Sequence, residues 1–188
     1  MYYAPWMYSY SSPPYMHVPM CNCVGQQNYG TAMNGTYQFG FCPSVMERNQ
    51  MELKDYGANP FVIDINEASK QNDAYRTALW TGKHLQVTLM SLQPGEDIGF
   101  EIHPQLDQFV RIEQGQGIIQ MGKTREQLHF VRSVHDDDAI IIPAGTWHNL
   151  TNTGNIPLKL YSIYAPPQHP FGTVHVTKEE AMRAEDHH

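Results

Sequence analysis

The second half of the chain is a succession of short runs in which apolar and polar side chains alternate. Examples are "HLQVTLMSL", "QGIIQMG" and "PLKLYSIYA", and turn residues such as Pro94, Gly95, Gly115 and Gly122 separate such runs. Alternation with a period of two places every second side chain on the same face of a sheet, so each run predicts a β-strand. Many short strands joined by Gly/Pro turns, with hardly a helix between them, predict an all-β sandwich or barrel.

Helical patterns flank this β-rich region. The stretch "DINEASKQND" precedes the first strand and predicts a short helix or turn. Near the end, Thr177 is followed three residues later by Glu180, which is the capping-box pattern that begins a helix. We therefore expect a globular domain over residues 51–176, a short C-terminal helix and tail over 177–188, and a separate N-terminal extension over 1–50.

The N-terminal extension differs in composition from the rest of the chain. Residues 1–46 contain no Asp, Glu, Lys or Arg and are rich in Tyr, Met, Pro, Gly, Ser and Asn. Such a segment has too little aliphatic surface to offset its ordering entropy, so we expect it to be disordered alone yet adhesive. Cys21, Cys23 and Cys42 predict free thiols or intermolecular cross-links rather than a disulfide framework.

The charge balance and the apolar pattern restrict the partners. The formal net charge is −7 and the sequence has no long basic run, which argues against binding to nucleic acid or to an anionic membrane surface. No apolar stretch approaches the roughly 18 residues that a membrane-spanning helix needs, and the first residues carry no signal-peptide pattern. We expect a cytoplasmic protein that acts on a small-molecule substrate.

Polar side chains interrupt the apolar face of the central strands in the stretch 99–117. Glu101 and His103 stand two apart and so point the same way, and Gln108 shares a strand face with apolar residues. His148 follows a tight turn at the start of a later strand. If these strands line one barrel, the four side chains converge, and two imidazoles, a carboxylate and an amide oxygen suit a divalent transition metal. A cation would also offset the cost of burying an unpaired carboxylate.

Alternatives and catalytic roles arise on the same strands. Asp107 would replace Gln108 as a ligand if the turn after Pro104 shifted the register by one residue, although alternation favours Gln108. Tyr161 lies on the last long strand, where a tyrosine either fills the core or faces the cavity as an acid or hydrogen-bond donor. We name Glu101 and Tyr161 as candidate catalytic residues.

The first group of polar residues resembles the first motif of the cupin superfamily, which reads Gly, five residues, His-x-His, three or four residues, Glu, six residues, Gly. Here Gly95 and Gly115 bracket the motif, and His103 matches its second histidine. Glu101 replaces the first histidine, and Gln108 replaces the glutamate. Both replacements keep an atom that can bind a metal, so the resemblance still implies a metal site.

A later stretch resembles the second cupin motif, which reads Gly, five residues, Pro-x-Gly, two residues, His, three residues, Asn. Pro143, Gly145, His148 and Asn152 match this pattern, whereas Asp137 stands at the position of the opening glycine. Two such motifs in the right order imply the cupin fold, a double-stranded β-helix or jelly-roll barrel, over the whole of the predicted globular domain.

The cupin resemblance also implies a function. It implies one divalent transition metal per chain (Mn, Fe, Ni, Co or Zn), held by Glu101, His103, Gln108 and His148, and a homodimer that pairs through edge strands. It further implies a small-molecule metalloenzyme of isomerase, epimerase, lyase or dioxygenase type, and small bacterial cupins of this kind are often labelled sugar isomerase-like. The N-terminal extension resembles those of coat proteins in spore-forming bacteria. The alternative is therefore a structural or assembly protein, associated with a spore coat, that uses the barrel as a scaffold.

Overall fold

A computed structural model describes residues 51–185, which form two short helices and nine strands. The predicted N-terminal extension, with its expected disorder and its cysteines, lies outside the described residues, as do residues 186–188. Helix α1 spans Ile65–Gln71, and helix α2 spans Lys178–Glu185. The strands in chain order are β1 (Arg76–Thr81), β2 (Gln86–Leu92), β3 (Asp107–Gln114), β4 (Gln116–Gly122), β5 (Phe130–His135), β6 (Ala139–Ile142), β7 (Trp147–Asn152), β8 (Leu158–Ala165) and β9 (Val174–His175).

The strands form two antiparallel sheets that share one apolar core. The larger sheet has the order β6-β3-β8-β2-β1-β9, and the smaller sheet has the order β5-β4-β7. The segment before β3 extends the smaller sheet, because Asp97 bridges Thr151 and Glu101 bridges His148 on β7. This architecture confirms the predicted all-β fold class. The core contains buried side chains from both sheets, among them Met90, Val110, Ile112, Ile119, Leu150 and Leu160.

The period of two predicted for β3 determines which side chains enter the core. Gln108 and Val110 are buried, whereas Phe109 and Arg111 point to the other face and are partly exposed. In the antiparallel pairing of β3 with β8, Gln108 lies opposite Tyr164. Directly opposed residues of an antiparallel pair share a sheet face, so Tyr164 also points into the core.

A tight turn explains how the second cupin-like motif tolerates the loss of its glycine. Asp137 has a φ of 72°, the left-handed conformation that glycine adopts most readily. Aspartate is one of the few other residues that enter this region at modest cost. The carboxylate of Asp137 also accepts a hydrogen bond from Arg111 on β3. The substitution therefore preserves the turn between β5 and β6.

Both predicted helices are present, and each begins at a capping side chain. Asp64 accepts a hydrogen bond from the backbone N–H of Glu67 at 3.1 Å, and Thr177 accepts one from the N–H of Glu180 at 3.3 Å. Within residues 51–185, neither helix has the length and apolar character needed to cross a lipid bilayer. Helix α1 contributes to a second cluster on the outer face of the larger sheet, which we call the outer cluster and which contains Ala68, Leu79, Leu89, Phe61, Ile63 and Tyr161.

Candidate metal centre

Backbone hydrogen bonds hold the segments that carry Glu101, His103 and His148 next to each other. The N–H of Glu101 donates to the carbonyl of His148, and the N–H of His148 donates to the carbonyl of Glu101, with both N···O distances 3.0 Å. The N–H of Gly145, in the turn before β7, donates to the carbonyl of His103 at 2.9 Å. The two motifs are thus joined by hydrogen bonds on either side of the candidate site.

The side chains of these three residues converge on one point. Nε2 of His103 lies 3.3 Å from Oε2 of Glu101, and Nε2 of His148 lies 3.9 Å from the same oxygen. The ligand atoms offered by the three residues all lie within 4.8 Å of one another. Two imidazole nitrogens and one carboxylate oxygen at such separations form a donor set that suits a divalent transition metal.

Gln108 lies in the interior cavity beside Glu101 and offers a further oxygen donor there. Its side chain is buried, and its Nε2 donates to Oγ of Ser162 at 3.2 Å. That hydrogen bond fixes the amide so that Oε1 is the free atom, and Gln108 and Glu101 line the same small interior cavity. Asp107, the alternative ligand, is exposed and accepts a hydrogen bond from the N–H of Ala144 at 2.9 Å. The register therefore directs Gln108, and not Asp107, toward the site.

Buried polar atoms without partners support the fit to a metal. Nε2 of His103, Nε2 of His148 and Oε1 of Gln108 are buried and have no hydrogen-bond partner among the described residues. Each such atom costs about 1–3 kcal/mol unless something binds it. Nδ1 of His148 lies 2.9 Å from the carbonyl oxygen of Thr146, which can only accept, so the proton of a neutral ring resides on Nδ1. Its Nε2 then presents a lone pair, as a metal ligand requires.

The electrostatics keep Glu101 and His148 in the protonation states that a metal needs. Burial alone would raise the pKa of Glu101, but the neighbouring ring of His103, whose Nε2 lies 3.3 Å from Oε2, and the charge of Arg76 outweigh burial and hold the pKa below its ordinary value. Burial lowers the pKa of His148, against the opposing effects of Thr146 and Glu101. An ionised carboxylate and a neutral imidazole are both competent ligands near neutral pH.

Two rings outside the set of candidate site residues named from the sequence border the site. The ring of Tyr164 lies 5.7 Å from that of His103 and 5.2 Å from that of His169, edge to face in both cases. Burial raises the pKa of Tyr164 to about 12, so its hydroxyl stays protonated. Burial and the charge of Arg76 lower the pKa of His169 to about 2, so its ring stays neutral.

The segment that carries His169 is held by one buried side chain. Oε1 of Gln86 accepts hydrogen bonds from the backbone N–H groups of Gln168 and His169, at 3.2 and 2.9 Å. Nε2 of Gln86 donates to the carbonyl of His169 at 2.9 Å. These contacts join residues more than eighty positions apart in sequence, which is why no local pattern revealed them.

The predicted catalytic role of Tyr161 does not fit its position. Tyr161 lies opposite Leu89 in the sheet and belongs to the outer cluster, and its ring is 6.1 Å from that of Phe109. Along β8 the side chains alternate, so Ser162 and Tyr164 face the core while Tyr161 faces away from it. The structure therefore brings Glu101, His103 and His148 together, places Gln108 in the interior cavity that Glu101 also lines, and leaves Tyr161 outside the site.

An open cleft leads to the candidate ligands. The interior cavity beside Glu101 and Gln108 has a volume of only about 10 Å³, whereas the cleft that Glu101 and His103 line has about 700 Å³. A molecule larger than water can approach these residues from the cleft. The other residues that line the cleft are Phe100, Ile102, Gln168, His169, Pro170, Thr173, His175 and Ala184.

The fold and the paired motifs define a cupin, and the chain belongs to the cupin superfamily. The family model described as the cupin domain matches residues 88–164, which include all four candidate ligands. The resemblance of the two motifs to those of cupins is thereby confirmed.

Similar proteins match over a larger part of the chain. The uncharacterized protein YrkC of Bacillus subtilis (strain 168) is 59% identical over 189 residues, covering 99% of this chain and 100% of that protein. The uncharacterized protein L612 of Acanthamoeba polyphaga mimivirus is 43% identical over 122 residues, covering 64% of this chain and 74% of that protein. The crystal structure of BH2720 from Bacillus halodurans has 66% identity and a TM-score of 0.69, covering 70% of this chain and 99% of that chain. The similarity to the BH2720 structure confirms the fold.

Proposed function

We propose that this protein is a small-molecule metalloenzyme whose divalent transition metal is held by Glu101, His103 and His148, with Gln108 as a fourth ligand. The convergence of the first three ligand atoms within 4.8 Å, with both histidine Nε2 atoms buried and unpartnered among the described residues, carries the proposal. Such a metal, when bound, supplies a Lewis acid suited to isomerase, epimerase or lyase chemistry, or supports dioxygenase chemistry if it is iron.

The cleft is the place where a substrate would bind. Its volume of about 700 Å³ falls in the range of small-molecule sites, and the interior cavity of about 10 Å³ is too small for any substrate. Phe100, Ile102 and Pro170 give the cleft apolar surface, while His169 and Thr173 give it polar atoms. This mixture suits a small molecule that has both apolar and hydrogen-bonding groups.

Two side chains have protonation states that suit distinct roles. Glu101 lines both the interior cavity and the cleft, and its lowered pKa makes it a carboxylate that can accept a proton from a molecule in the cleft. Tyr164, with a pKa raised to about 12, stays a hydrogen-bond donor on the interior side. We assign proton transfer to Glu101, and Tyr164 takes the donor role once predicted for Tyr161.

Elemental analysis of the purified full-length protein tests the proposal. We expect about one equivalent of a transition metal per chain, lost in His148→Ala and retained in His84→Ala, which removes an exposed histidine. Iron would direct the search to oxygen-consumption assays, and manganese, nickel, cobalt or zinc to isomerase and lyase substrates. If the wild-type protein takes up no metal even after reconstitution with each of these ions, the metalloenzyme proposal is wrong.

A second candidate function is a structural or assembly role, in which the barrel serves as a scaffold. The composition of residues 1–46, without a charged side chain and rich in Tyr and Met, favours it, because such residues make good contact surfaces. Deleting residues 1–46 separates the two functions. An enzyme should keep its metal content and turnover, whereas an assembly protein should lose its location, for example in a spore coat.

A homodimer is compatible with either function, and we propose that it forms along the edge strand β9. Val174 on this strand and its neighbours Phe171 and Val176 are apolar and exposed. Among the described strands, β9 pairs only with β1, which leaves its other edge open for a second copy. Sedimentation of the full chain at the mass of a monomer would argue against this pairing.

A further inference from the structure

Arg76 lies beside the candidate metal centre, although neither cupin motif includes it. It stands on β1 opposite Met90, a core residue, and only 1% of its surface is exposed. Its Nη2 lies 3.5 Å from Oε1 of Glu101. A guanidinium keeps its charge even when buried, so its burial requires a nearby counter-charge. Glu101 supplies one.

The two carboxylate oxygens of Glu101 face different neighbours. Oε1 faces Arg76, whereas Oε2 lies 3.3 Å from Nε2 of His103 and 3.9 Å from Nε2 of His148. Arg76 therefore engages one oxygen and leaves the other directed to the point where the imidazoles converge. Partners behind the ligands orient them and tune the metal, and the carbonyl of Thr146 acts on His148 in the same way.

The ion pair also changes the charge of the centre. A divalent cation beside one carboxylate retains one net positive charge, and the guanidinium restores the second, because imidazole and amide ligands are neutral. We propose that Arg76 is a positioning residue of the candidate metal centre, which directs Oε2 of Glu101 to the metal and gives the occupied centre two positive charges that favour an anionic oxygen ligand, such as a carboxylate or enolate. This inference rests on the metal-binding function proposed above.

Exogenous ligands test the inference without a known substrate. The full-length protein loaded with Co²⁺ is titrated with azide, an anion, and separately with imidazole, a neutral ligand, and the visible spectrum of Co²⁺ reports binding. Arg76→Met should bind azide about tenfold more weakly, since it removes one positive charge near the metal, and imidazole with unchanged affinity. Arg76→Lys keeps the charge and should restore most of the azide affinity. Arg111→Met, on the outer face of β3, is the matched control and should bind azide like the wild type.

Several outcomes would overturn the inference. Azide affinity that is unchanged in Arg76→Met, or azide and imidazole affinities that fall equally, would show that the charge of Arg76 does not act on the centre. If Arg76→Met does not fold, Arg76→Gln, which is also neutral but keeps a hydrogen-bond donor for Glu101, takes its place. It should bind azide about tenfold more weakly than Arg76→Lys and imidazole with the same affinity, and equal azide affinities in these two variants would refute the charge argument. A wild-type protein that takes up no Co²⁺ would instead refute the metal centre itself.

Discussion

Replacing His169 with phenylalanine should make the protein less sensitive to acid. The folded protein lowers the pKa of His169 from its ordinary value of 6.5 to about 2, chiefly by burial. A group whose folded pKa is lowered contributes stability above its unfolded pKa, and that contribution is lost as the pH falls toward the folded pKa. The affected range therefore lies between pH 6.5 and about 2. Phenylalanine keeps a ring against Tyr164 and does not titrate.

The size of the effect follows from proton uptake by the unfolded chain. Below pH 6.5 the unfolded histidine binds a proton that the folded ring does not, and each pH unit then lowers the free energy of unfolding by about 1.4 kcal/mol. With the gradual onset near the unfolded pKa, the loss between pH 6.5 and about pH 4.5 amounts to about 2 kcal/mol. Arg76, His103 and His175, whose charges act on this ring, are present in both proteins, so their own contributions largely cancel in the difference.

Urea unfolding of the metal-free protein and of His169→Phe, across this pH range, measures the difference. The wild-type free energy of unfolding should fall by about 2 kcal/mol more than that of the variant. His84→Asn, which removes an exposed histidine, should parallel the wild type. Parallel curves for the wild type and His169→Phe would refute the reasoning, because they would mean that the folded protein protonates this ring and that the segment held by Gln86 does not exclude water.

Two further variants test the turn and the outer face. Asp137→Ala should lower the free energy of unfolding by about 1 kcal/mol, because the left-handed φ of 72° is sterically unfavourable for alanine. Asp137→Gly and Asp137→Asn should stay near the wild type, because glycine and asparagine adopt this conformation more readily. Thermal unfolding measures this, and an equal loss in the asparagine variant would assign the effect to the exposed pair with Arg111 instead. Tyr161→Phe should leave metal content unchanged by elemental analysis, since its hydroxyl lies outside the site, and loss of metal in this variant would contradict the assigned strand face.

The side chains that could be predicted are those whose positions follow from local periodicity. Glu101 and His103 share a direction because they are two apart, and alternation alone selected Gln108 over Asp107. The same rule could have placed Tyr161 outside the site. Lys159 lies two residues before Tyr161 and shares its strand face, and a lysine on a strand indicates the face turned away from an apolar core.

Contacts between distant parts of the chain could not be predicted in this way. Arg76 meets Glu101 across twenty-five residues of sequence, and the register that joins them depends on both sheets. His169 follows the last long strand in an irregular segment, where no period applies, and its place depends on hydrogen bonds to Gln86. One-dimensional patterns report which face a side chain occupies, but the identity of its neighbour across the barrel is a property of the closed fold.

The presence of Glu101 where most cupins have histidine is best understood together with Arg76. Histidine at this position would supply a neutral ligand but would remove the carboxylate that lies 3.5 Å from a guanidinium with a 2% exposed side chain. Removing one partner of a buried ion pair lowers the free energy of unfolding by about 3 kcal/mol or more, because the remaining charge stays buried without a counter-charge and without water.

Glu101→His should therefore destabilise the metal-free protein by about this amount, and adding Arg76→Met should recover much of the loss. Chemical unfolding of the four proteins in this double-mutant cycle measures the coupling. Additive effects of the two substitutions would mean that the carboxylate of Glu101 and the guanidinium of Arg76 do not stabilise each other, and would contradict this explanation.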